Sequence, residues 1–500
     1  MLLEETNQQS SPGSRRVADP LLQRLCRTAE LNPDKTAVID SRGSYSYREI
    51  FLLGRAFSAT LQRAGIGPGS IVSLSMRKDL SYIQAILGCL LSGNAFLPID
   101  PDYPPERKRH MVSDSGAVAA AINFDMCSPI DAPILLDMRT LPSDVAPMPD
   151  FPDELRSAYT IYTSGTTGRP KGVPIASAAL ADFIAVQGAT LAVTGASRFA
   201  SIASISFDMS IWEVFMALCH GATLVMFDRD TIVDGRKLGA ALKAHAISHV
   251  LMTPSMLSLL PADAYPALRY VVSAGEKCGS QNVNAWSPVS HFFDAYGATE
   301  ATIYTTIVRK TPDTPPACVG RPMAGSEIAI IDSSGHKVKP GEIGEICIVG
   351  DAVSLGYHNR PELNAGVFTE LDGKRSYRTG DIGYLDESGF LFCKGRLDRQ
   401  VKFNGYRIEL EEIERVANET LLVAASAAAL YTSDAGKTFL YLFVVPREET
   451  AFLPLAFREA LRRVLPMFMM PSRIFAVPVM PVTSSGKADI SHLMTLAHHH

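Results

Sequence analysis

The sequence lacks any Cys-x-x-Cys pair. Its eight cysteines (Cys26, Cys89, Cys127, Cys219, Cys278, Cys318, Cys347 and Cys393) are scattered. That spacing suits neither a zinc site nor a disulfide scaffold, and reduced thiols in a cytosolic enzyme are the simpler expectation. An excess of either charge is missing too. With 47 Lys+Arg against 52 Asp+Glu the formal charge is −5, so no basic field favours nucleic acid or anionic lipid. Long apolar runs are absent: Leu421 to Tyr431, broken by Ser426, is about half a membrane span. The opening MLLEETNQQSSPGSRR is acidic where a secretory signal needs a basic start, so residues 1–17 read as a flexible tail. His498 to His500 look like the remnant of a purification tag. His220, His245 and His249 share no ligand spacing and read as surface or core filler.

What is present is ordinary globular composition, 47% hydrophobic and 20% charged, over 500 residues, enough for several domains. Strand-like runs (Thr36–Ile39, Ser70–Ser75, Val118–Ile122, Ile134–Leu136, His249–Met252, Tyr270–Ser273) alternate with helical patterns such as Leu80–Leu91 and Lys237–His245. This alternation predicts α/β layers with largely parallel sheets. From Glu327 the texture turns to Gly-punctuated strands, which predicts a distorted β-barrel or a sheet layer. Past a boundary at 395–398 come a hairpin-like QVKFNGYRIE, helices over 410–420 and 455–465, and an apolar strand over 438–445. The expectation is a large α/β N-terminal domain, 18–394, and a small mobile α+β C-terminal domain, 399–497. Gly65-Ile-Gly-Pro-Gly69 reads as a turn rather than a dinucleotide fingerprint.

The strongest signal is Tyr159-Thr-Ile-Tyr-Thr-Ser-Gly-Thr-Thr-Gly-Arg-Pro-Lys-Gly172. Gly165, Gly168 and Gly172 let backbone N–H groups turn toward an anion, while Thr163, Ser164, Thr166 and Thr167 add hydroxyls and Lys171 a positive charge. Arg169-Pro170 separates Gly168 from Lys171, so this is not a Walker A loop.

This string resembles the phosphate-binding signature of the adenylate-forming superfamily, which includes acyl-CoA synthetases, luciferases and nonribosomal peptide synthetase adenylation domains. Further motifs follow in the family's order: Tyr45–Ile50, Leu91–Pro101, Phe207–Ser210, Asp294–Glu300, Tyr377–Asp381, Gly395–Lys402 and Pro481–Lys487. The resemblance implies that ATP and Mg²⁺ are used, with Glu300 on the metal and Thr163, Lys171, Glu300 and Lys487 as catalytic groups. Tyr296 is similar to the residue that stacks on adenine, and Asp381 to the one that accepts the ribose hydroxyls. Asp294 stands where Asn is usual near the adenine amine, and Cys393 where an aromatic residue is more common. Gly275, Ala295, Gly297, Thr299 and Arg396 complete the implied ATP contacts. Asp398 resembles the family hinge, and Gly405 and Arg407 would face a pantetheine arm. Lys487 would arrive with the mobile domain and then withdraw.

Asp208 resembles the carboxylate that pairs with an amino acid's α-ammonium; a buried carboxylate needs such a partner to stay ionised. The same mapping lines the side-chain pocket with Met209, Trp212, Met252, Val272, Ala274, Ala295, Ile303 and Tyr304, none charged, and places Lys487 beside the substrate. The resemblance thus implies an adenylation enzyme for a hydrophobic amino acid, aromatic or branched; with no recognisable carrier or condensation segment in the sequence, it reads as a free-standing enzyme or an excised one, and as cytoplasmic. It would load a separate carrier protein, with a small activating partner left open. An acyl- or aryl-CoA ligase, or an idle adenylate-binding regulator, are the alternatives.

Overall fold

The computed structural model describes residues 21–123, 130–141, 157–165, 169–433, 437–447, 452–482 and 488–498. The expected tail over 1–17 lies outside the described residues, as do Thr166, Thr167, Gly168 and Lys487.

Two mostly parallel sheets carry the N-terminal part. The first orders its strands as Ile134–Asp137, Ala119–Ile122, Ile71–Ser75, Ala95–Pro98, Tyr159–Thr163 and Lys171–Ile175, parallel except for the last, antiparallel pair. Thr163 opposes Lys171 in that pair, so the strands on either side of the Gly/Ser/Thr string are antiparallel, and the string begins at the carboxyl end of a strand of the parallel set. In the second, Thr36–Asp40, Thr223–Met226, Arg198–Ser201, His249–Met252, Tyr270–Ser273 and His291–Tyr296 run parallel. Ligands in such sheets bind beyond the carboxyl ends of strands, and loops from both sheets converge there.

The segments that open the family motifs turn out to be structural pins. In Tyr45–Ile50, Ser46 and Glu49 form a reciprocal capping box on helix Tyr47–Arg63. In Leu91–Pro101, the Asn94 side chain accepts from Ser70 N at 3.0 Å and fixes the entry to a strand. Gly65 and Gly69 bracket the expected turn with φ of +74° and +82°.

The Gly-punctuated strands after 326 form an antiparallel layer, joined edge to edge with the second sheet through Cys318–Pro322. The sheet-layer form of the expectation is the one seen; the order of neighbours is open. Beyond it, Val401–Phe403 and Tyr406–Ile408 make a two-stranded hairpin. Its two-residue turn, Asn404-Gly405, has φ of +51° and +79°, the double positive φ that an Asn-Gly turn of type I′ adopts. Then follow helix Leu410–Glu419, the strands Val423–Thr432, Thr438–Pro446 and Arg473–Ala476, and helix Pro454–Arg462 around their own core. The apolar run noted in the sequence is thus an antiparallel strand. No described helix is long and apolar enough to cross a membrane.

This C-terminal part packs on the N-terminal part through two contacts of different chemistry. Arg107 Nη1 donates to Glu412 Oε1 at 2.8 Å, both side chains nearly inaccessible. Beside them Tyr406 stacks on Phe468 with ring centroids 4.0 Å apart, and Phe207 meets Tyr406 edge-on at 4.7 Å.

Candidate functional site

A cleft lies between the carboxyl ends of both sheets and the hairpin 401–408, with about 1050 Å³ of space including its open mouth. Thr163, Ser164, Asp208, Met209, Thr299, Asp381 and Arg407 all line it.

The phosphate side is built on Thr163, Ser164 and Lys171. Thr163 Oγ1 is buried with no hydrogen-bond partner among the described residues, and so keeps its capacity for a ligand. Lys171 Nζ sits 4.2 Å from the Tyr357 ring centroid. Burial, and next the Arg407 charge, lower its pKa to about 8, although Glu300 pulls the other way. Glu300 is wholly buried, and burial alone would raise its pKa. Arg407, Lys171 and a hydrogen bond from the Tyr357 hydroxyl outweigh that and hold it at about 2. This is a carboxylate kept ionised in the interior, a hard oxygen donor of the kind magnesium takes. Among the described residues no group of three His, Cys, Asp or Glu side chains could hold a metal alone. Glu300 would therefore share the ion with nucleotide phosphates and water.

On the nucleoside side, Asp381 accepts from the Tyr296 hydroxyl (2.6 Å) and from Arg396 Nη1 (2.6 Å). Arg396 also binds Asp398 through Nε and Nη2 at 2.7 and 2.8 Å. Gly275, Ala295 and Gly297 are on the cleft wall. A Cβ at Gly297 would lie 2.4 Å from Tyr304 Cα, so only glycine lets these two backbone segments touch. Asp294 and Tyr296 alternate with Ala295 along their strand and sit behind the wall. The Asp294 carboxylate is 3.5 Å from Lys310 Nζ, both buried, and desolvation raises its pKa to about 6 against that attraction. Lys310 thus supports the carboxylate where the family more often has Asn. Cys393 joins the cluster around Tyr296.

The second lobe starts at Asp208, the first residue of helix Asp208–Leu218. Thr299 Oγ1 donates to its Oδ2 at 2.6 Å. Desolvation raises its pKa to about 6, with the Thr299 bond opposing. Met209, Ala274, Ile303 and Tyr304 share the cleft wall with it. Trp212 and Val272 lie deeper, in the core directly behind. Trp212 Nε1 donates to the Tyr304 hydroxyl at 3.1 Å, and that hydroxyl donates to Gln187 Oε1 at 2.8 Å.

Met252 does not belong to this lobe. Side chains alternate along a strand, and Met252 points into the separate core on the other sheet face with Leu257 and Val271. Leu251, paired with Val272 on the next strand, takes the place beside Trp212. The sequence mapping was off by one residue there.

Two residues that sequence reasoning passed over, Tyr357 and Thr302, also shape the site. Tyr357 bridges Lys171 and Glu300. Thr302 and Ile303 have φ of +59° and +69°, which β-branched residues avoid. The Thr302 hydroxyl donates to Ala352 O at 2.7 Å and anchors this turn, which aims Ile303 into the cleft. Tyr357 stands in Gly-Tyr-His-Asn-Arg-Pro, whose Gly and Pro mark a turn; the Thr302-Ile303 geometry has no sequence signal. His249, expected as filler, is stacked between Phe199 and Tyr270 at 4.7 Å from each.

Residues 25–358 match the family described as AMP-binding enzyme. Novobiocin biosynthesis protein H of Streptomyces niveus is 35% identical over 482 residues, covering 93% of this chain and 80% of that protein. Tyrocidine synthase 2 of Brevibacillus parabrevis is 34% identical over 484 residues, covering 94% of this chain. This chain spans only 13% of that relative's length. A solved structure of an NRPS protein containing adenylation and PCP domains matches with a TM-score of 0.85 at 26% identity, over 96% of this chain and 86% of that one.

Proposed function

Since this chain belongs to the AMP-binding family of adenylate-forming enzymes, we propose that it activates a hydrophobic amino acid with ATP and passes it to a carrier-protein thiol. The observation that carries the reading is Asp208: one carboxylate at the rim of an otherwise uncharged lobe, beside a phosphate-binding loop. An α-ammonium would pair with it and an apolar side chain would fill the remainder, while a charged side chain would be stranded.

In the first half-reaction a substrate carboxylate oxygen attacks the α-phosphorus of ATP. The new C–O–P linkage forms as the bond to pyrophosphate breaks. Two anions must approach, so Lys171 and the hydroxyl of Thr163 offset the charge, with Lys487 as the expected third contributor. A magnesium ion held by Glu300 and the phosphates would add positive charge there. In the second half-reaction a pantetheine thiolate attacks the acyl carbon and AMP leaves with the bonding electron pair. Rotation about 395–398, at Asp398, would exchange the two settings. The relatives whose names and structures include adenylation and carrier domains support a carrier protein as acceptor.

Amino-acid-dependent ATP–pyrophosphate exchange over a panel of substrates tests this. Apolar amino acids should be activated within roughly 10- to 200-fold of the best one, because a methylene in an apolar pocket discriminates weakly. Best activation of Lys, Glu or an amine-free acid would overturn the pocket assignment.

A further inference from the structure

Helix Pro105–Ser115 carries a carboxylate, Asp114, in its last turn, where the carbonyl end of the helix disfavours negative charge. Local helix chemistry gives no reason for it; its partners do. Oδ2 accepts from the Tyr162 hydroxyl at 2.8 Å, and Oδ1 lies 2.8 Å from Arg360 Nη2. The Asp114 backbone carbonyl accepts from Asn359 Nδ2, also at 2.8 Å. One turn back, His110 Nε2 donates to Pro170 O at 3.0 Å. Each of these partners is a short step from the phosphate side. Tyr162 precedes Thr163 on its strand and pairs with Gly172, the neighbour of Lys171 on the other. Its ring lies so close that a Cβ on Gly172 would meet it at 2.9 Å. Asn359 and Arg360 follow Tyr357, whose hydroxyl reaches Glu300 and whose ring lies against Lys171. Asp114 itself stands apart from the cleft wall.

We propose that Asp114 is a positioning residue for ATP, setting the spacing between the Thr163–Lys171 strand pair and the Tyr357–Glu300 pair through Tyr162 and Arg360. The inference rests on the phosphate-side roles of Thr163, Lys171 and Glu300 in the proposed function. A carboxylate suits the task because both of its oxygens accept. One short, rigid group can therefore hold a hydroxyl from one element and a guanidinium from another. Without it Lys171 and Glu300 keep their charges but lose their fixed separation, and small misplacements near reacting groups carry large rate costs. The amino-acid lobe is fastened by other contacts, Thr299 on Asp208 and Trp212 on Tyr304. The effect of Asp114 is accordingly confined to the nucleotide.

The test is ATP–pyrophosphate exchange with ATP and amino acid varied separately, alongside thermal midpoints. Asp114→Ala should raise the KM for ATP about tenfold while the KM for the amino acid moves by less than about twofold. Asp114→Asn keeps one oxygen for one partner and should fall between Ala and native. Tyr162→Phe and Arg360→Met each remove a single tie and keep the bulk of the side chain. Each should raise the KM for ATP about threefold, and neither should add to Asp114→Ala, since residues acting as one unit are not additive. These two single-tie variants carry the test even where Asp114→Ala fails to fold.

A merely structural Asp114 would lower the midpoint and the fraction of active enzyme, and so kcat, with a native KM for ATP; that result overturns the proposal. Equal rises in both KM values would make the change a general loosening of the cleft and overturn it too. So would Tyr162→Phe and Arg360→Met at the native KM for ATP. Lys171→Met with an unchanged KM for ATP would instead refute the phosphate role of Lys171, a distinct failure of the underlying reading.

Discussion

The hydroxyl of Tyr357 donates to Glu300 Oε1 at 2.6 Å while the Lys171 ammonium rests 4.2 Å from the centroid of the same ring. One aromatic side chain therefore positions an anion by its edge and a cation by its face. Tyr357→Phe keeps the face and removes the edge contact. Hydrogen bonds to charged groups contribute about 1.5–3 kcal/mol, so the KM for ATP should rise on the order of tenfold or more. Tyr357→Leu should raise it further by releasing Lys171. Exchange kinetics at varied ATP, showing equal effects of the two substitutions, would separate Tyr357 from Lys171.

The titrations of Asp208 and Lys171 bound the working pH from opposite sides. Asp208 has a pKa raised to about 6 by desolvation, so it is ionised above that pH and protonated below it. The KM for the amino acid should climb as pH falls through 6, reaching about tenfold at pH 5, since each pH unit below a pKa is a factor of ten. Lys171, lowered to about 8, loses its charge as pH rises past that value, and the KM for ATP should climb there. Asp208→Asn should weaken amino-acid binding and abolish the acid limb alone. A flat acid limb in the native protein would count against the α-ammonium pairing.

Leu251 and Met252 give a paired test of the pocket. Both are fully buried, so each change to Ala should destabilise by about 2–5 kcal/mol. Only Leu251→Ala should reorder the amino-acid panel toward larger side chains, because Leu251 faces the Trp212 core and Met252 faces away. Denaturation midpoints combined with exchange rankings check this. A reordered panel for Met252→Ala would restore it to the pocket.

Gly405 sets how near the hairpin comes. A Cβ there would stand 2.4 Å from Thr253 Cγ2, on a residue with φ of +79°. Gly405→Val should push the hairpin off the N-terminal part. Single-turnover transfer from preformed aminoacyl-AMP to a thiol should slow by roughly tenfold or more, since small misplacements carry large rate costs. The adenylation step should change much less. Transfer at the native rate would show that the hairpin need not seat this closely.

Much of this arrangement was legible in the chain because local chemistry fixed it. Asn404-Gly405 between short apolar runs specifies a tight hairpin, and the apolar run 80–91 matches helix Leu80–Leu91, capped by Asp79. Thr163, Lys171, Asp208 and Glu300 stood out through their motifs and are gathered around one cleft. Other features depend on long-range encounters that no local pattern encodes. Arg407 and Glu300 are 107 positions apart and meet through the packing of the hairpin on the N-terminal part. The left-handed backbone of Thr302 and Ile303 runs against their own preference and is imposed by tertiary contacts. Leu251 and Met252 are both apolar, so composition cannot tell which faces the cleft; only strand register does.

The Tyr304 hydroxyl accepts from Trp212 and donates to Gln187, so its one proton is already committed. Though named a polar residue, it presents itself to the cleft as hydrocarbon. The polarity of the pocket floor is thus governed from behind, by a glutamine at the far end of the Trp212–Tyr304–Gln187 relay. A chain of this kind adapting to a substrate with a hydroxyl tip would gain little by altering the residue in contact. Changing Gln187, and so freeing the tyrosine's proton, would convert the floor from a water-repelling surface into a hydrogen-bonding one without moving its shape.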